Sequence, residues 1–111
     1  MTWAILKNLT PHAIHVRTER GDYTFSPSGQ VARVAVTQEV IGDVVGIPIV
    51  KSAFGEVEGL PEPQPDTMYI VSTIVAQAVS GRADVVAPDT GATAIRGADG
   101  RIEAVVRFQK F

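Results

Sequence analysis

The sequence predicts a mainly β fold of the α+β class: a curled antiparallel or mixed sheet, or a small barrel, with one short helix near residues 72–80. In most of the chain apolar residues alternate with polar ones, which is typical of half-buried strands. The pair Asp99-Gly100 stands between two such segments and is a two-residue hairpin turn signal. One segment has helical spacing instead, so we expect about seven strands and one helix.

The first predicted hairpin follows the amino-terminal segment. Ile14 and Val16 alternate with polar residues, a polar turn follows, and the alternation resumes at Tyr23 and Phe25. This pattern predicts two antiparallel strands whose apolar side chains face inward.

The central part of the chain, residues 31–58, is rich in β-branched residues and predicts further strands. In the last of these strands Val45, Ile47 and Ile49 would lie on one side. Because Pro48 has no N–H group to donate to a neighbouring strand, we expect this strand at a sheet edge or at a bulge.

The last predicted hairpin turns at the Asp-Gly pair. The alternation that runs from Ile102 to Phe108 predicts one half-buried strand, with Ala104 and Val106 among its inward residues.

The helical segment lies within "YIVSTIVAQAVSGRADVVAPD". Ser72 is a suitable N-cap, the apolar residues 74, 75, 78 and 79 fall on one helical face, and Gly81 stands where a C′ glycine belongs. Valine and isoleucine are poor helix formers, so packing against the sheet would have to stabilise this helix. The run "ADVVAP" after the glycine predicts another strand.

Residues 59–66, "GLPEPQPD", contain three prolines and could either link two domains or cross the surface of one. A chain of 111 residues suits one domain. Halves of this size, with no cysteine and no zinc-site spacing, would be marginal on their own. We therefore expect a single domain over residues 1–111 and a stiff, extended surface crossing at residues 59–66.

Composition argues against several classes of protein. Ten basic residues against 12 acidic ones, with a net charge of -2, do not favour binding to a nucleic acid polymer. No apolar run is long enough to span a bilayer and the amino terminus lacks a signal-peptide pattern. Together with the absence of cysteine, this predicts a cytoplasmic protein with no membrane partner.

Few residue patterns indicate catalysis. In a strand His12 and His15 would point to opposite faces, and a zinc site needs three or four ligands, so we expect no metal site. The chain has no cysteine, no serine lies in a Gly-x-Ser-x-Gly segment, and "PSGQVAR" lacks the lysine of a phosphate loop. We expect no cofactor, and a binding protein rather than an enzyme.

The segment "SGRADVVAPD" holds the most suggestive cluster. Arg82 and Asp84 would share one strand face, and Asp89 follows at a turn. One interpretation is a rim that holds a ribose and a phosphate. The other is a surface ion pair and an ordinary aspartate turn.

Four segments carry a resemblance to known proteins: "NLTPHAI", "PSGQVARV", "FGEVEGLPEPQPDTMYIVSTIVAQAV" and "GRADVVAPDTG", in that order. Together they resemble a family of small proteins of phages, prophages and bacteria, and the resemblance covers nearly the whole chain. Small phage proteins include sponges that sequester cyclic or ADP-ribose-derived nucleotide signals of bacterial defence. The resemblance thus implies an oligomeric, anti-defence binding protein and assigns no catalytic residue.

A nucleotide-like ligand would need arginines for phosphate, an aromatic surface for a base and polar groups for ribose. The candidate ligand-binding residues are Asn8, Thr10, His12, Arg33, Phe54, Tyr69, Arg82, Asp84, Asp89 and Arg96. Because a pocket for a dinucleotide-sized ligand is large for one such domain, we expect a homo-oligomer with the pocket at a subunit interface.

Two alternatives stay open. The protein could capture another protein through the proline-rich loop at residues 59–66. It could also be a nucleotide hydrolase or lyase, with His12 and either Asp84 or Asp89 as acid and base.

Overall fold

Ten strands and one short helix make up the part of the chain that the computed structural model describes, residues 3–111. The mainly β fold with one helix is confirmed, and in this part the sheets do not close into a barrel. In chain order the elements are β1 (Ile5–Asn8), β2 (Ile14–Thr18), β3 (Gly21–Phe25), β4 (Arg33–Val44), β5 (Ile47–Glu58), β6 (Thr67–Ile70), α1 (Thr73–Ala78), β7 (Val85–Pro88), β8 (Ile95–Arg96), β9 (Ile102–Ala104) and β10 (Phe108–Gln109).

The central sheet has the strand order β1-β6-β7-β10. The first three strands are parallel, and β10 pairs antiparallel with β7. Parallel neighbours need a crossover connection, and α1 provides it between β6 and β7. All four residues of β7 are buried, which explains why its sequence reads as a continuous apolar run.

The hydrophobic core lies between this sheet and α1. Its largest members are Tyr69, Leu9, Val71 and Val75, each at most 1% exposed. Burial of an apolar side chain of this size contributes about 1.5–3 kcal/mol to the free energy of folding.

Helix α1 begins where the sequence predicts. The Ser72 hydroxyl accepts a hydrogen bond from the Val75 amide as an N-cap. Gly81 has a positive φ of 97°, but the helix ends at Ala78 with Val79 as its C-cap, so Gly81 lies one residue beyond the predicted C′ position. The predicted apolar face is wrong at Ile74, which is exposed, whereas Ala76 is buried. Among the described residues, no helix combines the length and the apolarity needed to cross a membrane.

The pairing of β2 and β3 is confirmed, but Tyr23, predicted to face inward, is 46% exposed. The hairpin at the carboxyl end is confirmed only in part. Strands β8 and β9 pair on either side of residues 97–101, so the predicted two-residue turn at Asp99-Gly100 is wrong: the connection has five residues, and its tight turn is closed by a bond from the Gly100 amide to the Gly97 carbonyl. The single strand predicted from Ile102 to Phe108 is wrong, because β9 ends at Ala104. Val105 then forms a parallel bridge to Val16, which attaches the first hairpin to this segment and redirects the chain to β10.

Strands β4 and β5 form a two-stranded hairpin, here called the arm (residues 33–58). Only its base touches the core, through Val34 and Val57. The expectation that Val45, Ile47 and Ile49 line one side of a strand is wrong, because Val45 lies in the turn, where it has a φ of 53°. The arm makes the molecule elongated: its radius of gyration is 16.5 Å, where a compact domain of about 100 residues has about 13 Å.

The proline-rich stretch is anchored to the body at several points as it runs from the arm to β6. The Gln30 amide donates to the Gly59 carbonyl at 2.8 Å, and Arg82 Nη2 donates to the Pro61 carbonyl at 3.0 Å. Leu60 packs against the core. Residues 62–66 are exposed, as the prediction of an extended surface crossing requires.

Gly59 provides a stability test of this anchoring. It has a φ of 81°, and a Cβ placed there would collide with the Val31 carbonyl. Gly100 has the same φ of 81° with open space around it, so it serves as a matched control. Gly100→Ala should lower the free energy of unfolding by about 1–2 kcal/mol, because alanine disfavours the left-handed backbone conformation. Gly59→Ala should cost about 1–3 kcal/mol more, because the neighbouring backbone must move.

Urea unfolding of the two variants measures this difference. Equal losses of unfolding free energy would show that the contact between residues 59 and 31 does not constrain the fold.

Candidate functional site

Asn8, at the end of β1, organises the turn formed by "NLTPH". Its Nδ2 donates to the carbonyls of His12 and Phe25, at 2.7 and 2.9 Å. Its Oδ1 accepts from the amide and the hydroxyl of Thr10, at 2.9 and 2.7 Å. Asn8 is buried, and its side-chain oxygen and nitrogen are both used in these hydrogen bonds. It therefore supports the turn and does not serve as a ligand contact.

Above this turn lies a cleft of about 310 Å³, between the turn, the base of the arm and the start of α1. This volume is at the small end of the range of about 300–1,000 Å³ typical of ligand pockets. Two of the predicted site residues, Thr10 and Arg33, meet here. The full lining consists of Leu9, Thr10, Pro11, Val31, Ala32, Arg33, Val34, Ser72, Ile74 and Val75.

The cleft has a cationic character. Arg33 is the one charged residue in its lining, and no carboxylate belongs to that lining. Within residues 3–111 the Arg33 guanidinium makes no ion pair, although Glu58 is its cross-strand partner in the register. A guanidinium that is not already paired can bind a phosphate or carboxylate bidentately.

Hydroxyl and apolar groups complete the cleft. The Ser72 oxygen accepts from Val75 while its own proton stays available for donation. The Thr10 hydroxyl proton is used within the turn, which leaves its oxygen as an acceptor. Ile74, which sequence analysis placed on the apolar face of the helix, forms part of an apolar wall of the cleft. The cleft therefore suits a ligand with one anionic group and a flat or apolar body.

Arg82 and Asp84 form the other prominent charged group, and they bind each other. Arg82 Nε and Nη2 donate to the two carboxylate oxygens of Asp84 at 2.9 and 2.6 Å. The same guanidinium donates to Pro61, so the pair attaches the proline-rich stretch to the start of β7. Both side chains are largely withdrawn from solvent, at 26% and 7% exposure. This geometry supports the ion-pair interpretation over a ligand-binding rim.

The remaining candidate residues lie apart from the cleft. Asp89 accepts from Arg107 at 2.7 Å and from the Gly91 amide at 3.0 Å, which makes it a turn residue. Arg96 donates to the Gly100 carbonyl within the last hairpin. Tyr69 is fully buried and its hydroxyl has no partner among the described residues, so its ring presents no surface to a ligand.

Two further candidates are exposed. His12 lies just beyond the cleft lining, and its backbone carbonyl holds the turn through Asn8. Phe54 lies on the arm, 47% exposed, and does not line the cleft. Of the ten predicted residues, the structure thus brings Thr10 and Arg33 into one cleft and places Asn8 beneath it.

Sequence analysis missed Val31 and Ser72 as lining residues, because "PSGQVAR" reads as a turn and Ser72 as a helix cap. It also missed a shallow groove beside the turn of β2 and β3, where Arg20 and Tyr23 lie together. The signal for this groove was "VRTERGDY", which places arginines next to an aromatic residue. The groove also contains Glu19, and its Arg17 is already paired with Asp22 at 3.2 Å.

Metal-binding chemistry finds no support in residues 3–111, where no three histidine, cysteine or acidic side chains come together. The cleft lining likewise holds no pair of acidic or histidine side chains for acid–base chemistry.

The role of Asn8 can be tested by stability. Asn8→Ala removes four hydrogen bonds and leaves buried partners unsatisfied, so it should lower the unfolding free energy by about 2–4 kcal/mol. Thr10→Val removes one hydroxyl from the same network and should cost about 1 kcal/mol. Urea unfolding checks both values. If the two variants lose the same amount, the amide does not organise the turn.

The Arg82–Asp84 pair predicts a pH dependence. The hydrogen bonds from Arg82 hold the pKa of the Asp84 carboxyl below its usual value. A lowered pKa in the folded state adds stability above the unfolded-state pKa of about 4, and this stability is lost as the pH falls through the folded pKa. Asp84→Asn should therefore lower the free energy of unfolding by about 1–3 kcal/mol at neutral pH. The difference in unfolding free energy between this variant and wild type should disappear as the pH falls from about 5 to 2.

Asp22→Asn is the matched control, because its pair with Arg17 is exposed and should contribute less than about 1 kcal/mol. If the difference in unfolding free energy between wild type and Asp84→Asn stays constant on acidification, the carboxylate of Asp84 is not the source of the pH dependence.

Comparisons of this chain with protein-family models, with curated proteins and with solved structures give no match in any of the three.

Proposed function

We propose that this protein is a non-catalytic binder of a small nucleotide-like anion, held in the cleft between Thr10, Arg33 and Ser72. The observation that carries the proposal is the Arg33 guanidinium, which among the described residues has no ion-pair partner and shares the cleft lining with no carboxylate. Such a guanidinium can bind a phosphate through two parallel charge-assisted hydrogen bonds.

The remaining groups fit the other parts of a nucleotide. The Ser72 hydroxyl supplies a donor for a phosphate or ribose oxygen. Ile74 and Val31 supply an apolar wall against which a base can lie. The cleft volume of about 310 Å³ is small for a whole cyclic dinucleotide or ADP-ribose derivative, so the ligand would extend beyond one chain.

Sequestration of a nucleotide signal, as by the phage anti-defence sponges considered from the sequence, is the biological role that we propose for this binding. It requires tight, reversible binding and unchanged release of the ligand. Heat denaturation of the loaded protein should return the ligand intact. Formation of a product during incubation would assign the protein to the hydrolase or lyase alternative instead.

Binding is tested by isothermal titration with cyclic dinucleotides and with ADP-ribose-type nucleotides. Arg33→Ala should weaken binding of the ligand about tenfold or more, since a hydrogen bond to a charged group contributes about 1.5–3 kcal/mol. Arg101→Ala is the matched control, because Arg101 is 89% exposed and does not line the cleft.

Two results would overturn the proposal. One is a well-folded protein that takes up none of these nucleotides. The other is equal affinity in the Arg33→Ala and Arg101→Ala variants.

A further inference from the structure

The cleft continues onto one face of the arm. Val34 lines the cleft and is also a residue of β4, where it pairs with Val57. Residues two positions apart in a strand share a face, and so do cross-strand partners. The next pair on this face is therefore Val36 and Phe54, about 7 Å beyond Val34. An exposed surface of the arm thus begins where the cleft ends.

The β-bulge at this point leaves Phe54 on the same face. Two residues of β5, Gly55 and Glu56, lie opposite Ala35 alone. A Cβ added to Gly55 would lie 3.4 Å from the Cβ of Ala35, which places both residues on the opposite face. The extra residue is thus absorbed on that opposite face, and the pairs on either side of the bulge point the same way.

Phe54 supplies an aromatic surface beside the cleft. It is 47% exposed, and its partner Val36 is 39% exposed. Among the described residues its ring packs on no other aromatic ring. A base stacks on an aromatic side chain through its flat face, so a base of any kind can use such a surface.

Polar side chains follow on the same face. Gln38 and Ser52 form the next pair, about 7 Å beyond Val36 toward the tip of the arm, and both are exposed. The glutamine amide offers donors and an acceptor, and the serine hydroxyl offers a donor and acceptor sites. Glutamine and serine side chains are among those that recognise the edges of bases. The edge of a base stacked on Phe54 would lie within reach of this pair.

Apolar surfaces therefore lie on both sides of Arg33. Val31 and Ile74 form the wall inside the cleft. Val36 and Phe54 lie outside it, three residues further along β4 from Arg33, which is about 10 Å. A ligand with one base can occupy only one of these two surfaces. A ligand with two bases on either side of a phosphate can occupy both.

We infer that the ligand is a cyclic dinucleotide: the cleft holds a phosphate and one base, and the second base stacks on Phe54 with Gln38 and Ser52 at its edge. This inference rests on the proposed function and narrows it, because an ADP-ribose derivative carries a single base and would leave Phe54 unused. The cleft of about 310 Å³ is too small for the whole ligand, and the arm is the first surface that the ligand meets outside it.

Isothermal titration with cyclic di-AMP and cyclic di-GMP, each beside its mononucleotide, tests the second base. Phe54→Ala should weaken binding of the cyclic dinucleotide about tenfold, since it removes one base–aromatic stack. The same variant should leave binding of AMP or GMP unchanged, because a single base stays in the cleft. Tyr23→Ala is the matched control: Tyr23 is an aromatic residue with 46% exposure that does not line the cleft, and its loss should change neither affinity.

The outcomes separate this inference from the proposed function. A cyclic dinucleotide whose binding is weakened by Arg33→Ala but not by Phe54→Ala would overturn the inference alone. So would tighter binding of ADP-ribose than of either cyclic dinucleotide. If a well-folded protein takes up none of these nucleotides, the inference and the proposed function both fall.

A Phe54→Trp variant locates the second base directly. Stacking of a base on the new indole should quench its fluorescence, so a cyclic dinucleotide should quench the emission and a mononucleotide should not. Trp3 is the one natural tryptophan, and the wild-type protein gives its background signal. Equal quenching by the cyclic dinucleotide and its mononucleotide, or quenching by neither, would contradict the placement of the second base on the arm.

Discussion

The amide of Asn8 is the contact on which the positioning of the cleft depends. It lies at the end of β1, withdrawn from solvent, and uses both its oxygen and its nitrogen on backbone and side-chain groups of the turn that follows and of β3. The backbone at the same point bonds to the loop that leads to the arm, since the Ala32 amide donates to the Leu9 carbonyl at 3.0 Å. The Asn8 side chain and the backbone of Leu9 thus hold together the turn and the loop that form the cleft wall.

The packed core and the projecting arm are separate parts of this structure. The sheet of β1, β6, β7 and β10 and the helix α1 supply the packed core, whereas the arm contributes almost nothing to it beyond Val34 and Val57. The cleft lies where the two parts meet, and Val34 belongs to both. A ligand at this place would contact the rigid body and the base of a projecting element together, which is a common location for binding sites.

Much of the fold follows from local sequence signals, and much of the candidate site does not. Period-two alternation and the Ser72 cap each act over a few residues, so the first hairpin and the helix start were predictable, whereas the Asp-Gly pair located the last turn but not its length. Which apolar strands reach the core was not, because β4 and β7 are both rich in valine while only β7 is buried. The same limit applies to the site. Arg82 forms an ion pair with Asp84, whereas Arg33 has no ion-pair partner in the part of the chain that the structure describes, and this difference depends on neighbours in space.

The positions of the strands along the chain determine which strand pairs can form first during synthesis. Strand β1 pairs with β6, so Ile5 cannot pair until Thr67 has been synthesised. Val44, by contrast, pairs with Ile47 across a tight turn. Short loops close at lower entropic cost and faster than long ones. The arm therefore forms while the sheet is still incomplete, and a growing chain displays its apolar hairpin before its own core has closed.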